Sequence, residues 1–278
     1  MIQLGLIGYP LEHSLSPKIH AAALKECGLE GNYSLFPIHR DDQAGLKNLL
    51  NRVRSGEITG LNVTIPHKQN VISLLDELTP TAKDIGAVNT IYLQDNKIVG
   101  DNTDAAGFLA DLNRFINGHR PKIENRKSAL ILGAGGAARA VIYALLHDGW
   151  HVAVAARHIE QALQLADSFA PHELYVMNYE AFVSQSLTFD LAVNATPVGM
   201  MPHIDQSPWP DGSEFPRQAM IYDLVYSPRE TKLVKDACAA GLSATTGLVM
   251  LIEQAALAFE IWTGYNPPRN ILFESINH

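Results

Sequence analysis

The stretch SALILGAGGAARAVIYALLHDGWHVAVAAR, residues 128–157, decides the fold class of this sequence. An apolar segment, a glycine-rich turn, an amphipathic segment and a second apolar segment follow one another, which is the order of a βαβ unit. The turn GAGGAA, residues 133–138, fits the pattern G-x-G-x-x-G/A. In that pattern Gly133 permits a tight turn and Gly135 permits close approach of a pyrophosphate, which the helix N-terminus attracts. The stretch predicts a Rossmann domain that binds a dinucleotide; a turn of small residues with a structural role is the alternative.

The end of the second strand bears on the choice between NAD and NADP. NAD sites usually place an Asp or Glu on the ribose about twenty residues after the first glycine. This chain has Ala156 and Arg157 there. Because a guanidinium is planar, always charged and able to donate two hydrogen bonds to a phosphate, Arg157 favours NADP. A solvated arginine at a strand end is the alternative interpretation.

The rest of the chain alternates short apolar segments with longer amphipathic ones, which is typical of βα units on a mostly parallel sheet. Before the glycine turn, strands are predicted at 3–8, 33–38 and 60–66, and helices at 16–28, 42–54, 67–78 and 103–117. Strands at 87–93 and 97–101 have no helix between them and predict a hairpin-like element. Later strands are predicted at 189–196 and 219–225, and a buried helix at 248–264. The predicted fold class is α/β, with a mostly parallel mixed sheet in an N-terminal substrate domain and a Rossmann domain after it.

Domain boundaries follow from this order of segments. Residues 1–104, completed by C-terminal helices at about 247–278, are predicted to bind the substrate. Residues 105–246 are predicted to form the Rossmann domain. Because a nicotinamide cofactor carries only the hydride, the first domain should supply the acid or base that handles the proton.

Composition and charge exclude several classes of function. The chain has 278 residues, of which 47% are hydrophobic and 18% charged, and its net charge of -8 argues against nucleic acid or an anionic membrane as a partner. Cys27 and Cys238 lack a metal-type spacing, and His147 and His151 lie on either side of a predicted helix end. We therefore expect no metal site and no membrane span, and a protein of the reducing cytoplasm.

Two polar motifs in the first domain contain candidates for acid–base catalysis. NVTIPHK, residues 62–68, presents Lys68 after a turn, and DNTD, residues 101–104, supplies Asp104 at the start of a helix. A lysine beside a carboxylate can donate a proton to a developing alkoxide or accept one from an alcohol. A solvated lysine and a helix-capping aspartate are the alternative interpretations.

The sequence resembles the shikimate dehydrogenase family in ordered blocks from one end of the chain to the other. The blocks are GYPLEHSLSP, GLNVTIPHK, GAVNTI, GDNTDAAGF, GAGGAARA, NATPVGM, YDLVYSPRET and MLIEQAALAFEIWTG. The resemblance implies reversible, NADPH-dependent reduction of 3-dehydroshikimate to shikimate, a step of aromatic amino-acid (chorismate) biosynthesis. It also implies a small-molecule substrate and a two-domain enzyme with a cleft between the domains. We expect a monomer or a homodimer.

The same resemblance implies roles for individual residues. Lys68 and Asp104 match the family's catalytic pair. The positions that match substrate contacts are Ser14, Ser16, Asn62, Thr64, Asn89, Tyr226 and Gln254. The positions that match cofactor contacts are Gly133, Gly135, Gly136, Ala137, Arg157, Asn194, Thr196 and Gly247. Ser14 and Ser16 would point toward the substrate carboxylate, and an N-cap role for Ser16 is the alternative.

One departure from the family pattern keeps related activities open. Many NADP-using members read Asn-Arg-Thr-x-x-Arg where this chain has ARHIEQ, residues 156–161, so that a second arginine is missing. A quinate/shikimate dehydrogenase able to use NAD is therefore an alternative, since one ring hydroxyl is a small difference for a pocket to encode. A dinucleotide-binding regulator without turnover is a further alternative, against which the intact Lys68 and Asp104 argue.

Overall fold

The computed structural model describes residues 1–119, 127–179, 182, 188–210 and 212–277, and it contains two α/β units, each with a six-stranded sheet. The first unit comprises Met1–Gly107 and Leu251–His278, and the second comprises Phe108–Met250. The predicted α/β class, with a mixed sheet followed by a Rossmann domain, is confirmed. The predicted boundaries lie three and four residues before these divisions. The binding role assigned to each unit stays a prediction.

The first unit contains a mixed sheet with the strand order β2-β1-β3-β5-β6-β4. Its strands are β1 (Ile2–Gly8), β2 (Gly31–Pro37), β3 (Gly60–Val63), β4 (Glu77–Leu78), β5 (Thr90–Gln94) and β6 (Lys97–Asp101). β1 is parallel to β2 and β3, and β4 is parallel to β6, whereas β5 is antiparallel to both of its neighbours. The ends of β1 and β3 therefore point to the same edge of the sheet.

β5 and β6 form the predicted hairpin. Gln94 pairs with Lys97, which leaves Asp95 and Asn96 as a two-residue connection. Both connecting residues have positive φ, 48° for Asp95 and 62° for Asn96. A two-residue turn with φ above zero at both positions matches the twist of antiparallel strands, and Asn and Asp tolerate that conformation.

Helices α1 (Ser16–Glu26), α2 (Gln43–Arg54) and α3 (Pro80–Ile85) belong to the first unit. α2 shows why its segment is helical, because its buried residues Leu46, Leu49, Leu50 and Val53 recur at the spacing of one helix face. They join a core cluster with residues of β1, β3, β5 and β6. Asp42 caps the helix, since its side chain accepts a hydrogen bond from Gly45 N at 2.8 Å.

The helix predicted at 67–78 is wrong. The structure has turns, a short 3₁₀ helix at Ile72–Leu74 and the edge strand β4 in that segment. Asp76 explains the difference, because its backbone N–H donates to Ile98 O at 3.0 Å and its carboxylate accepts from Ile98 N at 2.7 Å. The backbone of this segment thus forms its hydrogen bonds with β6 and not within a helix. Tertiary contacts override the helical pattern. Thr79 then caps α3, whose first residue is Pro80.

The second unit contains a parallel sheet with the order β12-β11-β10-β7-β8-β9. Its strands are β7 (Ser128–Leu132), β8 (His151–Ala156), β9 (Tyr175–Asn178), β10 (Leu191–Asn194), β11 (Met220–Asp223) and β12 (Ala244–Thr246). Helices α5 (Gly136–His147), α6 (Ile159–Ser168) and α7 (Lys232–Ala239) accompany them. The chain order reverses between β7 and β10, and such a switch point is where doubly wound sheets bind ligands.

Three further helices are α4 (Asp104–His119), α8 (Leu248–Thr263) and α9 (Arg269–Glu274). Both divisions between the units fall inside helices, one within α4 and one within α8. α8 has the almost uniformly apolar composition expected of a buried helix, and Ile252, Ala255 and Phe259 are buried. Within the described ranges, no helix is long and apolar enough to cross a membrane.

Candidate active site

Lys68 and Asp104 form a close ion pair in the first unit. Lys68 lies in the turn after β3, and Asp104 is the first residue of α4. Lys68 Nζ lies 2.5 Å from Asp104 Oδ2, and the two side chains are only 14% and 7% exposed. Because few water molecules reach the pair, its electrostatic attraction is stronger than that of a surface pair. The geometry suits a proton donor held in place by a carboxylate.

Backbone contacts fix both members of the pair. The carbonyl of Lys68 accepts from Val88 N at 2.7 Å. The Asn102 side chain accepts from Asp104 N at 3.0 Å, and its own amide donates to Ala87 O at 2.9 Å. Asn102 therefore satisfies a free N–H group at the start of α4 and fixes the position of Asp104.

His67 anchors the turn that carries Lys68. Its ring is fully buried, and Nε2 donates to the carbonyl of Ile38 at 2.7 Å. His67 N also donates to Thr64 O at 2.9 Å. The bond to Ile38 holds the segment after β3 against the segment after β2, and the bond to Thr64 closes the turn itself. Sequence reasoning assigned no role to His67, and only its position beside Lys68 could have indicated one.

Asn89 connects the ion pair to two other predicted site residues. Its Nδ2 donates to Asp104 Oδ1 at 2.9 Å and to Gln254 Oε1 at 3.3 Å. Its carbonyl accepts from Asn62 Nδ2 at 3.2 Å, and its Oδ1 accepts from Thr103 N at 2.8 Å. The structure thus brings Asn62, Lys68, Asn89, Asp104 and Gln254 into one buried network. Thr103, which the sequence analysis did not single out, also belongs to it.

Ser14, Ser16 and Thr64 lie at the ends of β1 and β3. α1 begins at Ser16, its N-cap residue is Leu15, and no side chain caps it among the described residues. The N-cap alternative for Ser16 is therefore wrong. The Ser14 hydroxyl accepts a hydrogen bond from Ser16 N at 3.3 Å. Thr64 lies beside Gly8, since a Cβ on Gly8 would be 2.3 Å from Thr64 Cγ2. Substrate contacts by these three residues stay a prediction.

The glycine turn of the second unit leaves room for a ligand. Gly133 has φ +112°, and a Cβ there would lie 2.9 Å from Thr196 Cγ2. A Cβ on Gly135 would have no described atom within 4 Å, apart from those of its chain neighbours. α5 begins at Gly136, and its first backbone bond runs from Arg139 N to Gly135 O. The N–H groups of Gly136 and Ala137 therefore precede the helical ladder, as an anion site requires.

Asn194 and Asp223 organise the loop that faces this turn. Asn194 Oδ1 accepts from Thr196 N and Thr196 Oγ1 at 2.9 and 2.7 Å, and Asn194 Nδ2 donates to Asp223 Oδ1 at 2.8 Å. Asp223 also accepts from Thr231 Oγ1 at 2.6 Å and from Val225 N at 3.0 Å. Burial raises the pKa of the Asp223 carboxyl to about 6, although these donors oppose the rise. Asp223 is another buried residue that sequence reasoning missed.

The remaining predicted residues of the second unit lie at other strand ends. Gly247 follows β12, where a Cβ would be 2.5 Å from the carbonyl oxygen of Leu224. Arg157 follows β8 and is exposed. Tyr226 follows β11 and is half-buried, and burial raises the pKa of its phenol. The structure brings Gly133, Asn194 and Thr196 together, whereas Tyr226 belongs to the second unit and not to the buried network of the first.

These features define a class of protein: an α/β oxidoreductase with a Rossmann unit and a separate unit that contains a buried lysine–aspartate pair. Family profiles match residues 6–91 as "Shikimate dehydrogenase substrate binding domain", 119–229 as "Shikimate / quinate 5-dehydrogenase" and 247–271 as "Shikimate 5'-dehydrogenase C-terminal domain". The chain belongs to the shikimate dehydrogenase family.

Individual relatives agree with this assignment. Shikimate dehydrogenase (NADP(+)) of Salinibacter ruber is 39% identical over 284 aligned residues, which cover 98% of this chain and 95% of the relative. Shikimate 5-dehydrogenase of Thermus thermophilus, solved with NADP(H) and shikimate, is 38% identical with a TM-score of 0.84 over 99% and 98% of the two chains. Shikimate 5-dehydrogenase of Listeria monocytogenes, solved with shikimate and NAD, is 30% identical with a TM-score of 0.83 over 99% and 96%.

Proposed function

We propose that this chain catalyses the reversible, NADPH-dependent reduction of 3-dehydroshikimate to shikimate in aromatic amino-acid (chorismate) biosynthesis. The observation that carries the proposal is the buried Lys68–Asp104 pair, with 2.5 Å between Nζ and Oδ2, in a member of this family. A chain that only bound a dinucleotide would have no use for a proton donor shielded from water.

Several features of the second unit support NADPH as the cofactor. The open space at Gly135, the positive φ of Gly133 and the N–H groups at the start of α5 fit a pyrophosphate. The exposed guanidinium of Arg157 is available for the 2'-phosphate. Asn194, Thr196 and Gly247 are proposed to contact the rest of the cofactor. When bound, NADPH supplies the hydride.

Proton transfer falls to the first unit. Lys68 Nζ donates the proton that the substrate oxygen gains as the carbonyl becomes a hydroxyl, and in the reverse direction it accepts that proton. Asp104 orients Nζ through Oδ2, while its Oδ1 is fixed by Asn89. The pair thus presents the donor in one geometry, which lowers the entropic part of the barrier.

Polar groups around the pair are proposed to bind the substrate. Ser14 and Ser16 would bind its carboxylate together with Tyr226, and Asn62, Thr64, Asn89 and Gln254 would bind its hydroxyl groups. Hydrogen-bonding sites of this kind discriminate strongly against analogues that lack a matching group. The protein is proposed to act in the cytoplasm as a monomer or a homodimer.

The direct test follows the absorbance of reduced nicotinamide while the purified protein is mixed with shikimate or quinate and with NADP or NAD, in every combination. Strong turnover with shikimate and NADP alone is the expected result. Comparable rates with quinate or NAD would assign the broader quinate/shikimate activity. No turnover in any combination would contradict an enzymatic role.

A further inference from the structure

A tyrosine outside the predicted site makes a hydrogen bond to one of its members. Tyr33 lies on β2, and its hydroxyl donates to Asn62 Oδ1 on β3 at 2.8 Å. Asn62 Nδ2 in turn donates to the carbonyl of Asn89 at 3.2 Å. Because Asn89 Nδ2 donates to Asp104 Oδ1, hydrogen bonds connect Tyr33 with the partner of Lys68. No motif in the sequence singled out Tyr33.

The Asn89 carbonyl decides which end of the Asn62 amide is the nitrogen, and the Tyr33 hydroxyl holds the oxygen end in place. An asparagine side chain has nearly the same shape after a 180° flip, so that its partners determine which end is the oxygen. Because the Asn89 carbonyl can only accept, the amide nitrogen of Asn62 must face it. The Tyr33 phenol, which can donate or accept, then donates to the oxygen at the other end. These two bonds use one lone pair and one N–H group of Asn62, and they leave the second of each for a further partner.

Packing fixes the tyrosine ring itself. Tyr33 stacks on His20, with 4.4 Å between the ring centroids and 4° between the planes. His20 is fully buried and also contacts Trp262 and Phe259 of α8. The phenol is therefore supported from α1 and α8, the helices that carry Ser16 and Gln254.

His20 keeps this support uncharged. Burial lowers the pKa of the His20 imidazole to about 3, and the nearby Asn62 amide opposes that decrease. Neither ring nitrogen reaches a partner within hydrogen-bond limits among the described residues. The ring is therefore uncharged at neutral pH, and it offers Tyr33 a flat face to stack on without introducing a charge beside Asn62.

We propose that Tyr33 is a positioning residue of the substrate site, whose hydroxyl holds the oxygen end of the Asn62 amide while the nitrogen end donates to Asn89, so that the amide keeps one position toward the substrate. The inference rests on the proposed function, because it assumes that Asn62 contacts shikimate. A phenylalanine at this position would keep the ring that stacks on His20 and remove the hydroxyl that donates to Asn62.

The experiment measures steady-state kinetics of Tyr33→Phe with shikimate and NADP. We expect kcat/KM for shikimate to fall about five- to tenfold, since one directed hydrogen bond is lost. The KM for NADP should stay within about twofold of the wild-type value. The matched control is Tyr143→Phe, because Tyr143 also packs on a histidine ring, 4.0 Å from His147, and belongs to the second unit.

A double-mutant cycle with Asn62→Ala shows whether Tyr33 acts through Asn62. In that background, Tyr33→Phe should change kcat/KM for shikimate by less than about twofold. Asn62→Ser replaces Asn62→Ala if melting curves show that the latter is unfolded.

Three results would overturn the inference. They are wild-type kinetics for Tyr33→Phe, fully additive effects of the two substitutions in the double-mutant cycle, or a rise in the KM for NADP as large as the fall in kcat/KM for shikimate. Absence of turnover by the wild-type protein would instead contradict the proposed function, and the inference with it.

Discussion

Lys68 and Asp104 depend on each other because both side chains are largely removed from water. Their exposed fractions are 14% and 7%, so that removing one charge leaves the other buried without its partner. Lys97 and Glu77 form a contrasting ion pair in the same unit, with exposed fractions of 53% and 51%. Water compensates for the loss of such a surface pair, which contributes little to stability. A comparison of substitutions in the two pairs therefore separates the effect of burying a charge from the effect of breaking an ion pair.

Lys68→Ala should lower kcat for shikimate oxidation by about 10³-fold, because it removes the group that we propose to move the proton. NADP binding, measured by fluorescence titration, should remain nearly unchanged, since the glycine turn belongs to the other unit. Lys97→Ala is the control and should keep wild-type kcat. Activity of Lys68→Ala within about tenfold of the wild-type value would assign the acid–base role to another residue.

Arg157→Ala should raise the KM for NADP by about tenfold and leave that for NAD within about twofold, because only NADP carries a 2'-phosphate for the guanidinium. Because the second arginine of the family pattern is missing, we propose that this preference depends on Arg157. Initial rates at varied NADP and NAD test it, with Arg52→Ala on α2 as the control. Equal changes for the two cofactors would remove Arg157 from the 2'-phosphate site.

The turn between β7 and α5 shows two separate reasons for glycine. Gly133 needs both its φ of +112° and the absence of a Cβ, which would press on the methyl group of Thr196. Gly241, after α7, needs only its φ of +81°, since a Cβ there would have no described atom within 4 Å apart from its chain neighbours. Substitutions at the two glycines therefore distinguish backbone strain from contact with Thr196, in the loop after β10.

Gly133→Ala should destabilise the protein by about 1–3 kcal/mol and raise the KM for NADP about tenfold or more, because it displaces the loop at Thr196. Gly241→Ala should cost about 1 kcal/mol and leave the KM for NADP unchanged. Urea denaturation and NADP kinetics of both variants provide the comparison. An unchanged KM for Gly133→Ala would separate the turn from cofactor binding.

Local patterns predicted most of these elements, because helix faces and strand alternation are set by neighbouring residues. The leucines of α2 and the Asp95–Asn96 turn are examples in which local preference and tertiary structure agree. Residues 67–78 are the opposite case, since Asp76 pairs with Ile98, 22 positions away, and no local pattern reports that bond. Edge-strand pairing of this kind is decided by distant partners.

The buried network illustrates the same limit for the candidate site. Asn89 and Gln254 are 165 positions apart in the chain, yet their amides are hydrogen-bonded. Family resemblance placed both in the substrate site, but the residue patterns alone could not pair them. Tyr33 lies outside the quoted motifs, and His67 and Asp223 lie inside two of them without an assigned role, because a supporting residue is recognised by its contacts and not by its type.

The Asp223 carboxyl stabilises the second unit more at low pH than at high pH, which is the opposite of the effect of a carboxyl whose pKa is lowered on folding. Its pKa is raised from 3.8 to about 6, so that the folded state binds a proton more tightly than the unfolded state. Its contribution to stability therefore increases as pH falls through 6 and is smallest above pH 7. Asp223→Asn keeps an acceptor for Asn194 and removes this titration.

The free energy of unfolding of the wild-type protein, relative to Asp223→Asn, should be about 1 kcal/mol larger at pH 5 than at pH 8. Urea denaturation followed by tryptophan fluorescence measures it, because Trp150 and Trp209 lie in the second unit. Other titrating groups cancel in the comparison. A difference that is constant with pH, or larger at pH 8, would contradict the raised pKa.

The first unit is discontinuous in the chain, and this has a consequence for biosynthesis. Trp262 of α8 donates to the carbonyl of Ile91 at 3.0 Å and packs against Gly60, and α8 also supplies Gln254. On the ribosome the second unit is continuous and can fold as it emerges, whereas the first must wait for residues 251–277. A chain that stops early thus contains a complete second unit and an incomplete first unit, whose core is exposed.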